Sequence, residues 1–370
     1  MPEMLDKRTD LSDFSKVFLD DTPLFDVRAP IEFAKGSVPG AINLPLMTDQ
    51  ERESVGITYK EKGQDAAIEC GHALVKGEEK ASRVAEWKAF AETHPNGYLF
   101  CMRGGLRSQI SQAWLQEAGV AYPLVRGGYK AMRRFLIEET ERLVAKANLI
   151  IVAGRTGIGK TDFLGAVSNA LDLEGLANHR GSSFGRRLGD QPTLINFENS
   201  LAVTLMKLSH THCSPLFVED ESRRIGALEI PAPLSTKMAD APAIMIEEPL
   251  KARIDVIHRD YVSELRAEFQ AVYLEEAEKA YGTFLLSALQ RIKKRLGGAR
   301  YKEIEALMRD ALINHEKTGD DSKHKVWIER LLVEYYDPMY KYQLERRTRN
   351  ILFTGSRVDA IAWSKCGSYG

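Results

Sequence analysis

Apolar positions recur along the chain in two rhythms. Short apolar runs of strand length occur at 24–28 (LFDVR), 97–101 (GYLFC), 122–125, 148–153 (NLIIVA), 215–218 (PLFV) and 242–246 (PAIMI). They read as buried strands, several of them ending on charge. Between them lie stretches with helical spacing: 64–93, where Ala67, Leu74, Val75, Val84 and Trp87 stand among polar neighbours, then 106–118, 128–146 and about 160–172. Strands alternating with helices predict parallel α/β sheets. Residues 31–45 (IEFAKGSVPGAINLP) are rich in Gly and Pro and predict mostly loop and turn. From about 255 onward the pattern is helical and highly charged. The strand–loop–helix pattern restarts near 146–148 without a glycine-rich linker, and that restart marks a domain boundary.

Composition narrows the class. At about 100–200 residues per domain, 370 residues predict two or three domains with a core that needs no disulfide or metal staple. Hydrophobic residues make up 44% and charged residues 28%, as in ordinary globular proteins. The net charge of −1 excludes a global field for nucleic acid, so any such surface must be a local basic patch. Four cysteines (Cys70, Cys101, Cys213, Cys366) are too few for a disulfide framework. No apolar run reaches the roughly 18 residues of a membrane span, and the N-terminus lacks the apolar core of a signal peptide. A cytoplasmic protein with reduced thiols is expected, monomeric and without a membrane partner.

Two loops carry chemistry. In YLFCMRGGLRSQ (98–109), Cys101 stands where a buried strand ends and a helix is about to begin. Gly104 and Gly105 permit a turn whose N–H groups point inward, and with the helix N-terminus this cradles an anion. A thiolate is stabilised in such a place and becomes a nucleophile, and Arg103 and Arg107 add charge for an anionic donor. A merely structural cysteine would explain YLFC but not RGGLR. Five residues separate Cys101 from Arg107, which is also the C-x5-R spacing of cysteine phosphatases, so phosphate-ester hydrolysis is an alternative chemistry. The second loop, from Gly154 through Gly157 and Gly159 to Lys160 and Thr161, matches G-x4-G-K-[ST] in full between a strand and a helix. Lys160 is expected to bridge phosphates, and the Thr161 hydroxyl to face Mg²⁺ if one is bound. The motif shows binding of a di- or triphosphate and does not by itself show hydrolysis.

Further residues are candidates around these loops. Glu219, Asp220 or Glu221, the acids ending PLFVEDE, can hold Mg²⁺ through water, and Asp220 is taken as a candidate to line the site. In DLEGLANHRGSSFG (172–185), His179, Arg180, Ser182 and Ser183 can line the phosphate site from the next strand end. His210, His212 and Cys213 lack a fourth partner, so no structural zinc is expected. Three basic runs are candidates for RNA. The first, 101–134, includes Arg133 and Arg134. The second, 291–302, includes Lys293, Lys294 and Arg295. The third, 335–349, interleaves four tyrosines with Lys341, Arg346, Arg347 and Arg349.

LFDVRAPIEFAKGSVPGAINLP, CMRGGLRS and VRGGYKAMRR together resemble a rhodanese domain over 12–137, with a helical insertion near 50–95. The resemblance implies Cys101 as a perselenide carrier, and Asp26 and Arg28 as structural or near-site residues. A rhodanese-like domain followed directly by a P-loop domain, with DLEGLANHRGSSFG after the P-loop, resembles the tRNA 2-selenouridine synthase family. That implies an α/β fold in three parts: the rhodanese-like domain, a P-loop NTPase-like parallel α/β domain at 148–255, and a mostly helical tRNA-binding region at 256–370. It implies a tRNA substrate containing wobble 2-thiouridine, geranylated on sulfur from geranyl diphosphate and then selenated with selenophosphate. No tightly bound cofactor is expected, and Mg²⁺ is left open. The alternative is a P-loop kinase or ATPase fused to a rhodanese-like cysteine phosphatase domain.

Overall fold

The computed structural model describes residues 9–182, 184–211, 215–344 and 349–366. The chain divides into two compact units: Met1–Leu143 with Thr193–Thr211, and Val144–Pro192 with His212–Gly370.

The first unit is built on a parallel sheet of β1 (Leu24–Asp26), β2 (Ala41–Asn43) and β3 (Tyr98–Phe100), in the order β2-β1-β3, with Phe25 opposite Ile42 and Leu99. Its core is aromatic. Phe25 stacks on Trp87 at 6.4 Å and meets Phe90 edge-on at 5.2 Å, and Trp87 stacks on Trp114 at 6.2 Å. The buried indole still needs a polar partner, and Trp87 Nε1 donates to the Leu44 carbonyl at 3.0 Å. The segment 31–45, expected as loop, contains β2 and the helix Pro30–Lys35, which Pro30 opens at its first position. The helical stretch at 64–93 is two helices, Gln64–Leu74 and Gly77–Thr93, because Val75 turns into the core and Gly77 takes φ +54°.

The helix Leu194–Thr211 belongs to this first unit although the sequence places it within the P-loop stretch. Its polar contacts explain the docking. Fully buried Asn199 donates to the Ser37 carbonyl at 2.6 Å and accepts from Arg133 Nη1 at 2.8 Å, and Asn196 accepts from the Ser37 N–H at 2.7 Å.

The second unit carries an all-parallel sheet of β4 (Leu149–Ala153), β5 (Ala170–Leu171), β6 (Leu216–Glu219), β9 (Ala243–Ile246) and β10 (Ile351–Gly355), in the order β10-β9-β4-β6-β5. A small antiparallel hairpin, β7 (Arg224–Ile225) and β8 (Leu228–Glu229), follows β6. All five residues of β4 are buried, as expected of a central strand covered on both faces. The charged helices after 255 share this unit and build their own core, with Tyr281, Leu285, Leu289, Ile304, Met308 and Trp327 at its centre. The chain then returns to the sheet as β10, an edge strand that the helical reading of 256–370 did not include. Among the described residues, no helix is long and apolar enough to cross a membrane.

Candidate functional sites

Cys101 follows β3 directly and is 3% exposed. Its carbonyl accepts from Tyr129 N–H, and that of Met102 from Lys130 N–H, each at 2.9 Å. Gly104 (φ +63°) and Gly128 (φ +58°) bring the two glycine loops backbone to backbone. A Cβ on Gly128 would collide with the Cys101 carbonyl, and one on Gly104 with the Gly127 nitrogen. The helix Leu106–Glu117, capped by Gly105, aims its N-terminus at the loop. Arg103 is exposed beside it.

Arg107 is already engaged. It binds Glu32 through two bonds, of 2.6 and 3.2 Å. Burial opposes its charge, but Glu32 first, then Cys101 and Asp26, hold its proton above the ordinary range. The arginine that a C-x5-R phosphatase would turn to its substrate thus faces a carboxylate.

Asp26 and Arg28 sit in the core rather than on a site wall, at 0% and 1% exposure. Arg28 Nε donates to Asp26 Oδ2 at 2.7 Å, Arg28 Nη2 to the Gly36 carbonyl at 2.9 Å, and the guanidinium lies 4.0 Å from the Tyr129 ring centre. Burial pushes the Asp26 carboxyl up against the pull of Arg28. The pair ties the end of β1 to the start of the helix Gly128–Lys146, and so braces the loop that supports Cys101.

Beside this loop lies an apolar cavity of about 270 Å³, which the sequence did not reveal. The helical insertion supplies Val55, Ala67 and Ile68, and the Cys101 side supplies Met47, Leu106 and Trp114. Met47 and Trp114 belong to the same packed cluster as Cys101.

In the second unit the glycine loop after β4 lines a pocket of about 120 Å³ together with Lys160 and Thr161. Gly154, Gly157 and Gly159 take φ values of +154°, +85° and +78°, where a side chain would be strained. The loop is fastened from outside. The Gly154 N–H donates to the Tyr340 hydroxyl at 2.8 Å, and Arg253 Nε to the Thr156 carbonyl at 2.9 Å. Buried Arg253 is itself held by Asp337 at 2.6 and 3.0 Å. None of Tyr340, Arg253 and Asp337 is legible from the motif, because they come from distant helices.

Lys160 Nζ stands 3.8 Å from Glu221, not beside Asp220. Burial opposes its charge, but Glu221 and then Glu174 hold the ammonium proton above its usual range. Burial, with crowding by Glu174, in turn pushes Glu221 up against Lys160. Asp220, the acid taken as a candidate to line the site, is instead paired with Arg349 at 2.7 Å. The alternation along a strand explains the exchange, since successive side chains leave the strand end on opposite faces. Arg180 and Ser182 line the pocket as expected, with Ser182 Oγ 3.3 Å from the Tyr261 hydroxyl. His179 does not; it faces a separate cleft. Ser183, His212 and Cys213 lie outside the described residues. Among those described, no group of three His, Cys, Asp or Glu side chains could hold a metal ion.

The basic runs fare unevenly. Arg133 is taken up by Asn199 and Glu198, and Arg349 by Asp220, so both are committed inside the fold rather than available to phosphate. Arg134 is exposed and pairs with Glu138 at 2.7 Å. Lys293, Lys294 and Arg295 end the helix Ala277–Leu296 on an exposed face, with Lys293 Nζ 4.8 Å from the Tyr301 ring centre. Arg346 and Arg347 lie outside the described residues. Of the four tyrosines nearby, Tyr335 and Tyr336 are core residues and Tyr340 bonds the glycine loop, which leaves Tyr342 exposed.

Residues 147–368 match the family model described as the tRNA 2-selenouridine synthase AAA domain. A protein of Marinobacter nauticus named tRNA 2-selenouridine synthase is 50% identical over 97% of this chain and 98% of its own. Proteins of the same name from Bordetella bronchiseptica and Pseudomonas fluorescens are 50% and 51% identical, over 96% and 94% of this chain and 97% and 95% of theirs. Likeness of this extent spans nearly the whole chain, and the chain therefore belongs to the tRNA 2-selenouridine synthase family.

Proposed function

We propose that the protein exchanges sulfur for selenium at C2 of a wobble 2-thiouridine in tRNA, in two steps divided between its two sites. The first unit is read as a rhodanese-like domain that serves the selenium step, and the second as a P-loop domain that serves the alkylation. The observation that carries this reading is the presence, in one chain of this family, of a buried cysteine in a backbone cradle and a complete phosphate loop.

In the first step the thiocarbonyl sulfur attacks C1 of geranyl diphosphate. A C–S bond forms, the C1–O bond breaks, pyrophosphate leaves with the electron pair, and the N3 proton passes to water. The pocket around Lys160 suits the diphosphate, because the glycine-loop N–H groups and the ammonium stabilise the charge that develops on the leaving oxygen. In the second step the selenium of selenophosphate forms a bond to C2 and the C2–S bond breaks. Geranyl thiol leaves with a proton, and water takes the phosphoryl group as phosphate. Alkylation matters here because it makes sulfur a leaving group. Cys101 is assigned to this selenium transfer.

The apolar cavity beside Cys101 supports an alkylated base at that site. An apolar cavity of about 150 Å³ holds benzene, with six carbons, so ten carbons need roughly 250 Å³. The cavity offers about 270 Å³.

Mass spectrometry of nucleosides from treated tRNA tests the division. Cys101→Ala should stop selenation and let S-geranyl-2-thiouridine accumulate. Lys160→Ala should stop geranylation yet still selenate tRNA supplied already geranylated. Normal geranylation without Lys160 would remove the glycine loop from the reaction. Phosphate-ester hydrolysis that depends on Cys101 would favour the phosphatase reading.

A further inference from the structure

A cleft of about 1000 Å³ in the second unit lies apart from the glycine-loop pocket and has no part in the chemistry above. One wall is the loop after His179, with Arg186 and Arg187. The other is formed by Tyr273, Lys279 and Phe284, from the helices Leu265–Tyr273 and Ala277–Leu296.

Its charge is unbalanced toward positive. Lys279 is matched by Glu276 at 3.1 Å. Asp190 is the one other acid on the lining, which also carries Arg186 and Arg187. No ion pair of Arg186 or Arg187 is found among the described residues, and the Arg187 Nε is buried without a hydrogen-bond acceptor. The positive charge reaches the neighbours: burial first, opposed by Glu174 and aided by Arg186 and Arg291, depresses the His179 pKa, and Arg186 adds to burial in lowering that of Arg291. His179 is only 9% exposed and lines the cleft.

The opposite wall is aromatic. Tyr273 is 45% exposed and stacks on buried Phe269 at 5.4 Å and 19°, while Phe284 meets Phe269 edge-on at 5.3 Å. Tyr273 is thus braced from behind and open in front. Its helix stops there because Leu274 takes φ +48°, a strained value for a bulky side chain.

Cations without counter-charges opposite an open aromatic face are what single-stranded nucleic acid requires, since phosphates seek the cations and unpaired bases stack on the ring. We propose that this cleft binds the unpaired loop nucleotides of the tRNA, with phosphates on Arg186 and Arg187 and one base stacked on Tyr273. The proposal rests on the reading of the protein as a tRNA-modifying enzyme.

The test measures binding of a labelled anticodon stem-loop RNA to the full-length protein across a salt series, with a fully paired duplex of the same length beside it. Tyr273→Ala should weaken the stem-loop roughly five- to hundredfold, one stacked base being lost, and spare the duplex. Arg186→Ser/Arg187→Ser should also weaken it and flatten the log–log salt slope by about 1.4, the value for two single-strand contacts. Arg186→Lys/Arg187→Lys keeps the charge and should restore the slope, which separates a lost contact from a damaged fold. Wild-type slope and affinity in Tyr273→Ala and in the double serine variant overturn the cleft proposal and leave the enzyme reading standing. A wild-type protein that binds neither RNA overturns the enzyme reading itself.

Discussion

Replacing Arg28 by methionine keeps most of the side-chain volume and removes one charge from the core of the first unit. Asp26 then remains at 0% exposure with the Arg28 backbone N–H, at 2.9 Å, as its remaining hydrogen-bond donor. Breaking one partner of a buried pair costs about 3–5 kcal/mol, because the charge left behind is neither solvated nor matched. The contact over Tyr129 adds about 1 kcal/mol more. A loss near 4 kcal/mol raises the local opening of β1 roughly a thousandfold. Asp26 can escape part of this cost by taking a proton, since burial already pushes its pKa up and Arg28 no longer opposes it. The sign follows from linkage. A carboxyl whose folded pKa lies above its unfolded one favours the fold at low pH, and that advantage is lost as pH rises through the folded pKa. The variant should therefore be closer to wild type near pH 5 than near pH 8. Native-state hydrogen exchange of the segment 24–28 at both pH values measures the effect, and Asp26→Leu/Arg28→Met should recover much of it. An opening free energy for Arg28→Met within 1 kcal/mol of wild type at pH 8 would refute the reasoning.

Three further outcomes follow from single residues. His324 is buried, accepts from Trp327 Nε1 at 3.0 Å, and is held near pKa 4, by burial first and then by His315 and His258. Its contribution is complete above the unfolded value of about 6.5 and lost toward pH 4, up to ~3 kcal/mol, so His324→Gln should flatten the urea midpoint against pH over that window. Ile68→Trp fills part of the 270 Å³ cavity. It should raise KM for S-geranylated RNA about thirtyfold, as if two or three methylenes lost their burial, and leave an S-methylated analogue unaffected. Arg253→Met frees Asp337 and the Thr156 carbonyl; it should cost roughly 2–5 kcal/mol in thermal unfolding and weaken pyrophosphate binding, read by calorimetry.

Local sequence by itself determined the two loops. A buried strand, glycines that must take positive φ, and a following helix are contiguous in the chain. Cys101, Gly104, Gly154, Gly159 and Lys160 are therefore legible without knowing what surrounds them. The runs that became β4, β6 and β9 were legible for a related reason, since a strand covered on both faces needs apolar residues throughout. What surrounds the loops was decided by tertiary structure. Basic residues look alike in sequence, and only packing shows that Arg133 and Arg349 are spent on Glu198 and Asp220, while Arg186 and Arg187, outside every basic run singled out, line a cleft. Glu221 rather than Asp220 meets Lys160 because direction at a strand end depends on the pleat. The edge strand β10, the partners Arg253, Asp337 and Tyr340, and the apolar cavity beside Cys101 bring together segments far apart in sequence. Such contacts are selected by burial and hydrogen-bond satisfaction in the folded state, which leave no periodicity or spacing in the chain to read.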